Sequence, residues 1–218
     1  MDELTLMQKI AVWTIPVIFA ITLHEVAHGW VAMKFGDRTA ELQGRLTLNP
    51  LKHIDPIGTV VVPIALLVLG GFVFGWAKAV PVNPQNFKRP RTDMAWVAVA
   101  GPVSNLLMAV FWAIIARIGY ELMQTQPEIG QFMAFSGAAG VAINLVLMVL
   151  NLIPIPPLDG SRVLSAILSP RLAYSYNRLE PYGFFILLGL LFLGFLGPII
   201  SGPYQAIQQF IYQMVGLG

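Results

Sequence analysis

The chain has 218 residues, of which 56% are hydrophobic and 11% charged, with a formal net charge of +2. Soluble domains carry about 25% charged residues, and one of this size still exposes roughly a third of its unfolded surface. Composition therefore excludes water as the main solvent and points to lipid. The small net charge argues against a nucleic-acid partner, and the lack of cysteine excludes disulfides, thiolate metal sites and a thiol nucleophile.

Asp2 and Glu3 stand where a signal peptide carries basic residues, and no small-residue cleavage site follows. The first apolar segment, residues 8–33, therefore reads as a retained helix, roughly 39 Å long at 1.5 Å per residue. That length crosses a hydrocarbon core of about 30 Å. The second apolar stretch, 57–76, is interrupted by Pro63 and the Gly70-Gly71 pair. It reads either as a re-entrant path, which must line protein or water, or as a kinked span. Residues 77–82, with Pro81 suited to an edge, read as a short extended strand or as a loop along the interface.

Further apolar segments occupy 94–120, 132–153 and 182–196, and a last piece, 204–215, fits an interfacial, re-entrant or short spanning helix. No linker or internal repeat divides the chain, so residues 1–218 are expected to form a single integral-membrane domain. The expected fold class is all-α: a polytopic membrane helix bundle with a short re-entrant or β-like membrane-edge segment. Gly101, Asn105 and Ala109 recur every four residues, and Gly137, Ala138 and Gly140 cluster, a pattern that lets membrane helices approach closely.

Basic residues follow the first segment (Lys34, Arg38, Arg45, Lys52), the second (Lys78, Lys88, Arg89, Arg91) and the fourth (Arg162, Arg171, Arg178). The 121–128 connection has none. The positive-inside rule places the three basic stretches in the cytoplasm.

The sharpest chemical signal is His24-Glu25-Val26-Ala27-His28 inside the first helix. Residues four apart share a helical face, so both imidazoles can meet one ion with Glu25 beside them. Zinc suits imidazole ligands, and Glu25 would take a proton from a water and return it to the leaving amine. By chance the pattern turns up in on the order of one per cent of chains this long. Three ionisable residues within five positions of a spanning helix are costly unless they function.

A third ligand must come from elsewhere, since Lys34 stands where one metalloprotease extension places histidine. His53, in a polar loop, reads as structural or interfacial before it reads as a ligand. Asp159 follows a long apolar helix through Pro154, Pro156 and Pro157, which break regular structure. A break within a membrane protein belongs beside a cavity or buried in protein. An acid there is either a metal ligand or a cap for a helix beginning near Ser161.

The three motifs His24-Glu25-Val26-Ala27-His28, Gly101-Pro102-Val103-Ser104-Asn105 and Asn151 through Asp159-Gly160 together resemble the site-2 proteases, intramembrane zinc metalloproteases of regulated intramembrane proteolysis. The likeness runs from the first helix to about Leu168 and is nearest to compact prokaryotic members. It implies one Zn2+ held by His24, His28 and Asp159, with Glu25 as general base and acid. It also implies Asn151 as a substrate or oxyanion contact, with a helix-end cap as the alternative. A membrane-protein substrate, the lipid bilayer as surroundings and a multi-pass place in a prokaryotic inner membrane are likewise implied. Asn105 and Asn144 fit the polar lining of that cavity or hydrogen bonds between helices. No extra helix is read before the metal-binding one, and no stretch reads as a PDZ or CBS domain.

His24 lies roughly 15 Å along the helix from Lys34, and Asp159 is close to Arg162, so both motifs fall at one depth below the cytoplasmic headgroups. The competing readings are a membrane metal-binding transporter and a catalytically inactive scaffold.

Overall fold

The computed structural model describes residues 4–62 and 77–218. Helix α1 (Leu6–Lys34) opens on a capping box in which the Gln8 N–H donates to Thr5 Oγ1 and the Thr5 N–H donates to Gln8 Oε1. It ends where Gly36 takes a φ of 107° and the Asp37 N–H reaches back to the Ala32 carbonyl at 3.0 Å. Glycine adopts that backbone conformation without strain. Pro50–Lys52 and Pro56–Val61 form short turns beyond a single-turn helix α2 (Thr39–Leu42).

Buried positions on α1 fall four apart: Val12, Pro16, Ala20, His24, His28 and Ala32. Helix α3 (Pro90–Leu122) buries Asp93, Val97, Gly101, Asn105, Ala109 and Ala113 at the same spacing. Each set forms a ridge along the i+4 row of its helix, the geometry by which helix surfaces interdigitate. Larger side chains such as Ile15, Phe19, Leu107 and Phe111 are exposed, as lipid-facing residues should be.

Helix α4 (Pro127–Leu152) packs against α3 almost backbone to backbone. A Cβ placed on Gly137 would lie 2.6 Å from Ala116 Cα, and one on Gly119 would lie 2.8 Å from the Gly130 carbonyl oxygen. The small-residue clusters are thus contact points, with Ala139 buried more deeply than its neighbour Ala138. Among the described residues three helices, α1, α3 and α4, are long and apolar enough to cross a membrane.

The described residues also form helices α5 (Asp159–Ile167), α6 (Pro170–Asn177), α7 (Gly183–Phe192) and α8 (Leu196–Met214). The apolar segment expected at 182–196 does not form one span. It breaks after Phe192, where Gly194 takes a φ of 75° and the Phe195 N–H bonds the Leu190 carbonyl at 2.9 Å. This is a Schellman stop, and α8, longer than the expected 204–215 piece, is bent by 83° from the helical stretch Pro170–Phe192. The bent pair counts as a fourth span only if taken together. Helix α8 returns to α3 and α4, burying Ile211 beside Trp112 and Leu145. Arg117 of α3 ties down its end by donating to the Gly216 carbonyl at 2.7 Å.

Residues 63–76, which hold most of the second apolar stretch, lie outside the described residues, and with them the choice between a re-entrant path and a kinked span. Of the two readings of residues 77–82, strand or loop, the structure has the loop, and the described residues contain no strand. Buried Phe87, with Val82 beside it, docks this loop on Ala32 and Val97.

Candidate metal centre

His24 and His28 occupy adjacent turns of α1 and face α3. The His28 Nδ1 lies 2.7 Å from the Val97 carbonyl oxygen, and the His24 Nδ1 lies 2.6 Å from Asn105 Oδ1. A carbonyl oxygen only accepts, so each ring carries a proton on Nδ1, and in the neutral ring Nε2 keeps its lone pair. Those two Nε2 atoms are 3.0 Å apart. Gly101 makes the bed on which the rings lie, because a Cβ there would fall 2.6 Å from Cε1 of both histidines.

Asp159 reaches the same point from the first turn of α5. Its Oδ2 is 3.3 Å from the Nε2 of His24 and 3.3 Å from that of His28. Two features place it there. Gly160 sits against the end of α4, where a Cβ would be 2.8 Å from the Ile153 carbonyl oxygen. At the far end of α5, the Arg91 guanidinium donates to the carbonyls of Ser165, Ala166 and Leu168, tying the helix to the start of α3. The residue preceding α5, Leu158, makes no side-chain cap, and Asp159 Oδ2 is buried without a hydrogen-bond donor. A cap is therefore not what this oxygen provides.

Two nitrogen lone pairs and a carboxylate oxygen at these separations repel one another unless a positive charge lies among them. Ligands about 2.0–2.1 Å from a tetrahedral zinc ion are about 3.3 Å apart, close to the edges of 3.0, 3.3 and 3.3 Å found here. Among the described residues these three form the one group of histidine and acidic side chains that could hold a metal ion.

Glu25 lies beside the triangle, and its Oε2 accepts the Val80 N–H at 2.7 Å. The loop that brings Val80 there is anchored repeatedly. The Lys78 N–H donates to the His53 carbonyl at 2.9 Å, Arg45 donates to the Lys78 carbonyl at 2.8 Å, and the Asn83 N–H donates to Asp37 at 2.7 Å. His53 is buried, with its Nε2 2.9 Å from the Thr47 carbonyl oxygen, and it stands outside the metal-ligand group. Its part here is to hold the loop. Asn151, on the last turn of α4, donates from Nδ2 to the Leu147 carbonyl at 2.9 Å.

The family model described as peptidase family M50 matches residues 12–125 and 120–194. The chain belongs to this family, the site-2 proteases. It is 42% identical over 197 residues to the Bacillus subtilis protein named "Putative zinc metalloprotease YwhC", covering 87% of this chain and 83% of that one. It is 33% identical over 175 residues to the Mycolicibacterium smegmatis protein named "Putative zinc metalloprotease Rip2", covering 80% of this chain and 64% of the relative. The regulator of sigma-E protease RseP of Escherichia coli is 34% identical over 131 residues, 56% of this chain and 28% of RseP. No solved structure matches. The chain is a membrane protein and a metalloprotease of site-2 type.

Sequence reasoning missed the contacts made by backbone. Neither the Val97 carbonyl on His28 nor the Val80 N–H on Glu25 leaves a side-chain signature. Gly101 and Asn105 carried a signal, their spacing, which reads first as packing.

Proposed function

We propose that this member of family M50 is an intramembrane zinc endopeptidase acting on membrane-spanning substrates near the cytoplasmic side, in regulated intramembrane proteolysis. The observation that carries this reading is the meeting of His24, His28 and Asp159 from two distant stretches of chain, with Glu25 alongside. His24, His28 and Asp159 would hold one zinc ion, which supplies Lewis acidity toward a water and the scissile carbonyl.

Glu25 has one oxygen engaged by the Val80 N–H. The other, Oε1, takes the proton of the attacking water and returns it to the leaving nitrogen. The Asn151 amide, on giving up the Leu147 carbonyl, donates to the oxygen on which negative charge develops. A helical substrate must unwind before attack, and residues 77–82 lie beside Glu25, where an extended segment would pass.

Depth supports cleavage near the cytoplasmic end. His28 is six residues from Lys34 along α1, and its partner Val97 is six residues from Arg91 along α3, about 9 Å in each case. Both basic residues mark the same end of the bundle. The chain would act as one domain in a prokaryotic cell membrane, crossing it several times.

The test measures zinc content and cleavage of a membrane-anchored reporter for the wild type, Glu25→Gln and Asp159→Ala. Glu25→Gln should keep zinc and lose cleavage, whereas Asp159→Ala should lose both. Cleavage that survives in both variants overturns the proposal.

A further inference from the structure

Behind His24 runs a chain of buried amides that the proposed chemistry does not use. Asn105 and Asn144 are both fully buried. The Asn144 Nδ2 donates to the Gly140 carbonyl at 2.8 Å, which turns its Oδ1 toward α3. That oxygen accepts from Asn105 Nδ2 at 2.9 Å, and the same Nδ2 lies 3.2 Å from the Ala20 carbonyl oxygen. With its amino group thus occupied, Asn105 can offer His24 only Oδ1, 2.6 Å from the ring Nδ1.

The direction of this relay is set at its origins. Backbone carbonyls cannot donate, so the Gly140 and Ala20 oxygens fix which end of each amide is NH2. Each assignment forces the next, and the last forces the His24 proton onto Nδ1. A flipped Asn105 would set its NH2 against His24 and its oxygen against two acceptors. In a buried site such unpaired groups are costly.

We propose that Asn105, locked by Asn144, is the positioning residue that holds His24 in the Nδ1–H tautomer with Nε2 aimed at the metal position. His28 needs no such relay, because the Val97 carbonyl does the same task directly. The inference rests on reading His24 as a metal ligand. Partners behind a ligating histidine typically contribute 10–100-fold to metal affinity.

The test uses the full chain in detergent micelles. Zinc affinity is measured by competition with a chelator, and the ring-proton position by nitrogen-15 NMR of histidine-labelled protein, which contains three histidines. Asn105→Leu should weaken zinc binding by about 10–100-fold and, without metal, move the His24 proton toward Nε2. Asn144→Leu should act in the same direction but less, and should add nothing in the Asn105→Leu background.

A purely structural role would lower the melting temperature yet leave zinc affinity and the ring proton unchanged, and that result overturns the proposal. So does metal-free wild-type protein with its His24 proton on Nε2, a measurement that needs no variant to fold. Wild-type protein that takes up no zinc, yet shows the Nδ1–H tautomer, instead rejects the metal reading on which the proposal rests.

Discussion

Glu25 shares its carboxylate with the backbone of Val80: the Val80 N–H donates to Oε2 at 2.7 Å. Val80 is itself buried against α1, where a Cβ on Gly29 would come within 2.9 Å of its Cγ1. The loop therefore presses on the helix turn from Glu25 to Gly29 and fixes the rotamer of the proposed base through a group that cannot move alone. A carboxylate held at one oxygen keeps the other aimed, which raises the share of time in a reactive geometry.

Val80→Pro deletes the donor, whereas Val80→Ala keeps it and removes only side-chain packing. A hydrogen bond to a charged group contributes about 1.5–3 kcal/mol, so Val80→Pro should lower reporter cleavage at least about ten-fold while zinc content stays at the wild-type level. Val80→Ala should stay within about three-fold of wild type. Equal losses in the two variants would show that packing, and not the N–H, is what matters.

Asp37 anchors the other end of the same loop. It is fully buried and accepts from the Thr39 N–H at 3.1 Å, the Thr39 hydroxyl, the Asn83 N–H at 2.7 Å and Asn86 Nδ2 at 2.7 Å. Burial alone would raise its pKa, but the donors from Thr39, Asn86 and Asn83 outweigh it and hold the carboxyl below its ordinary value. A depressed carboxyl stabilises the fold at pH above its unfolded pKa, about 3.9, and that contribution fades as pH falls through the lower folded value. Hydrogen exchange at Asn83 should therefore be protected equally from pH 7 to pH 5 and lose protection below about pH 4. In Asp37→Asn an NH2 faces donors, so exchange should already be faster at pH 7, with little further change on acidification.

The spanning helices and the proposed ligands were legible because each leaves a local mark. Apolar runs at 8–33, 94–120 and 132–153 match α1, α3 and α4 to within a few residues, since a run that long must cover its backbone polar groups with helix. The histidines announce themselves by spacing on one helix face. Asp159 was visible as an acid beyond three prolines, but the meeting of its carboxylate with both imidazoles needed coordinates, because a cap and a ligand both begin with a carboxylate at a helix start. The break at Gly194 was hidden inside continuous apolarity, where one glycine decides the path and hydropathy does not change. The relay through Asn105 and Asn144 was read as helix adhesion or cavity lining. Residues 39 apart in sequence reveal a shared direction of hydrogen bonding only when the acceptors at each end are known.

Gly101 separates packing from function most cleanly. The two imidazoles that rest on it are held from behind by Asn105 and Val97, so neither can retreat from an added methyl group. Gly101→Ala should accordingly push the Nε2 atoms out of the triangle, lowering zinc affinity by ten-fold or more and cleavage with it. Alanine favours helix over glycine by about 1 kcal/mol, so the melting temperature of the metal-free protein should fall far less than metal binding does. Gly189 on α7 is the matched control, because a Cβ there meets nothing within 4 Å. Gly189→Ala should bind zinc and cleave the reporter within about two-fold of wild type. If Gly101→Ala also keeps wild-type zinc affinity, the rings do not lie on α3 as described, and the shape of the metal centre is wrong.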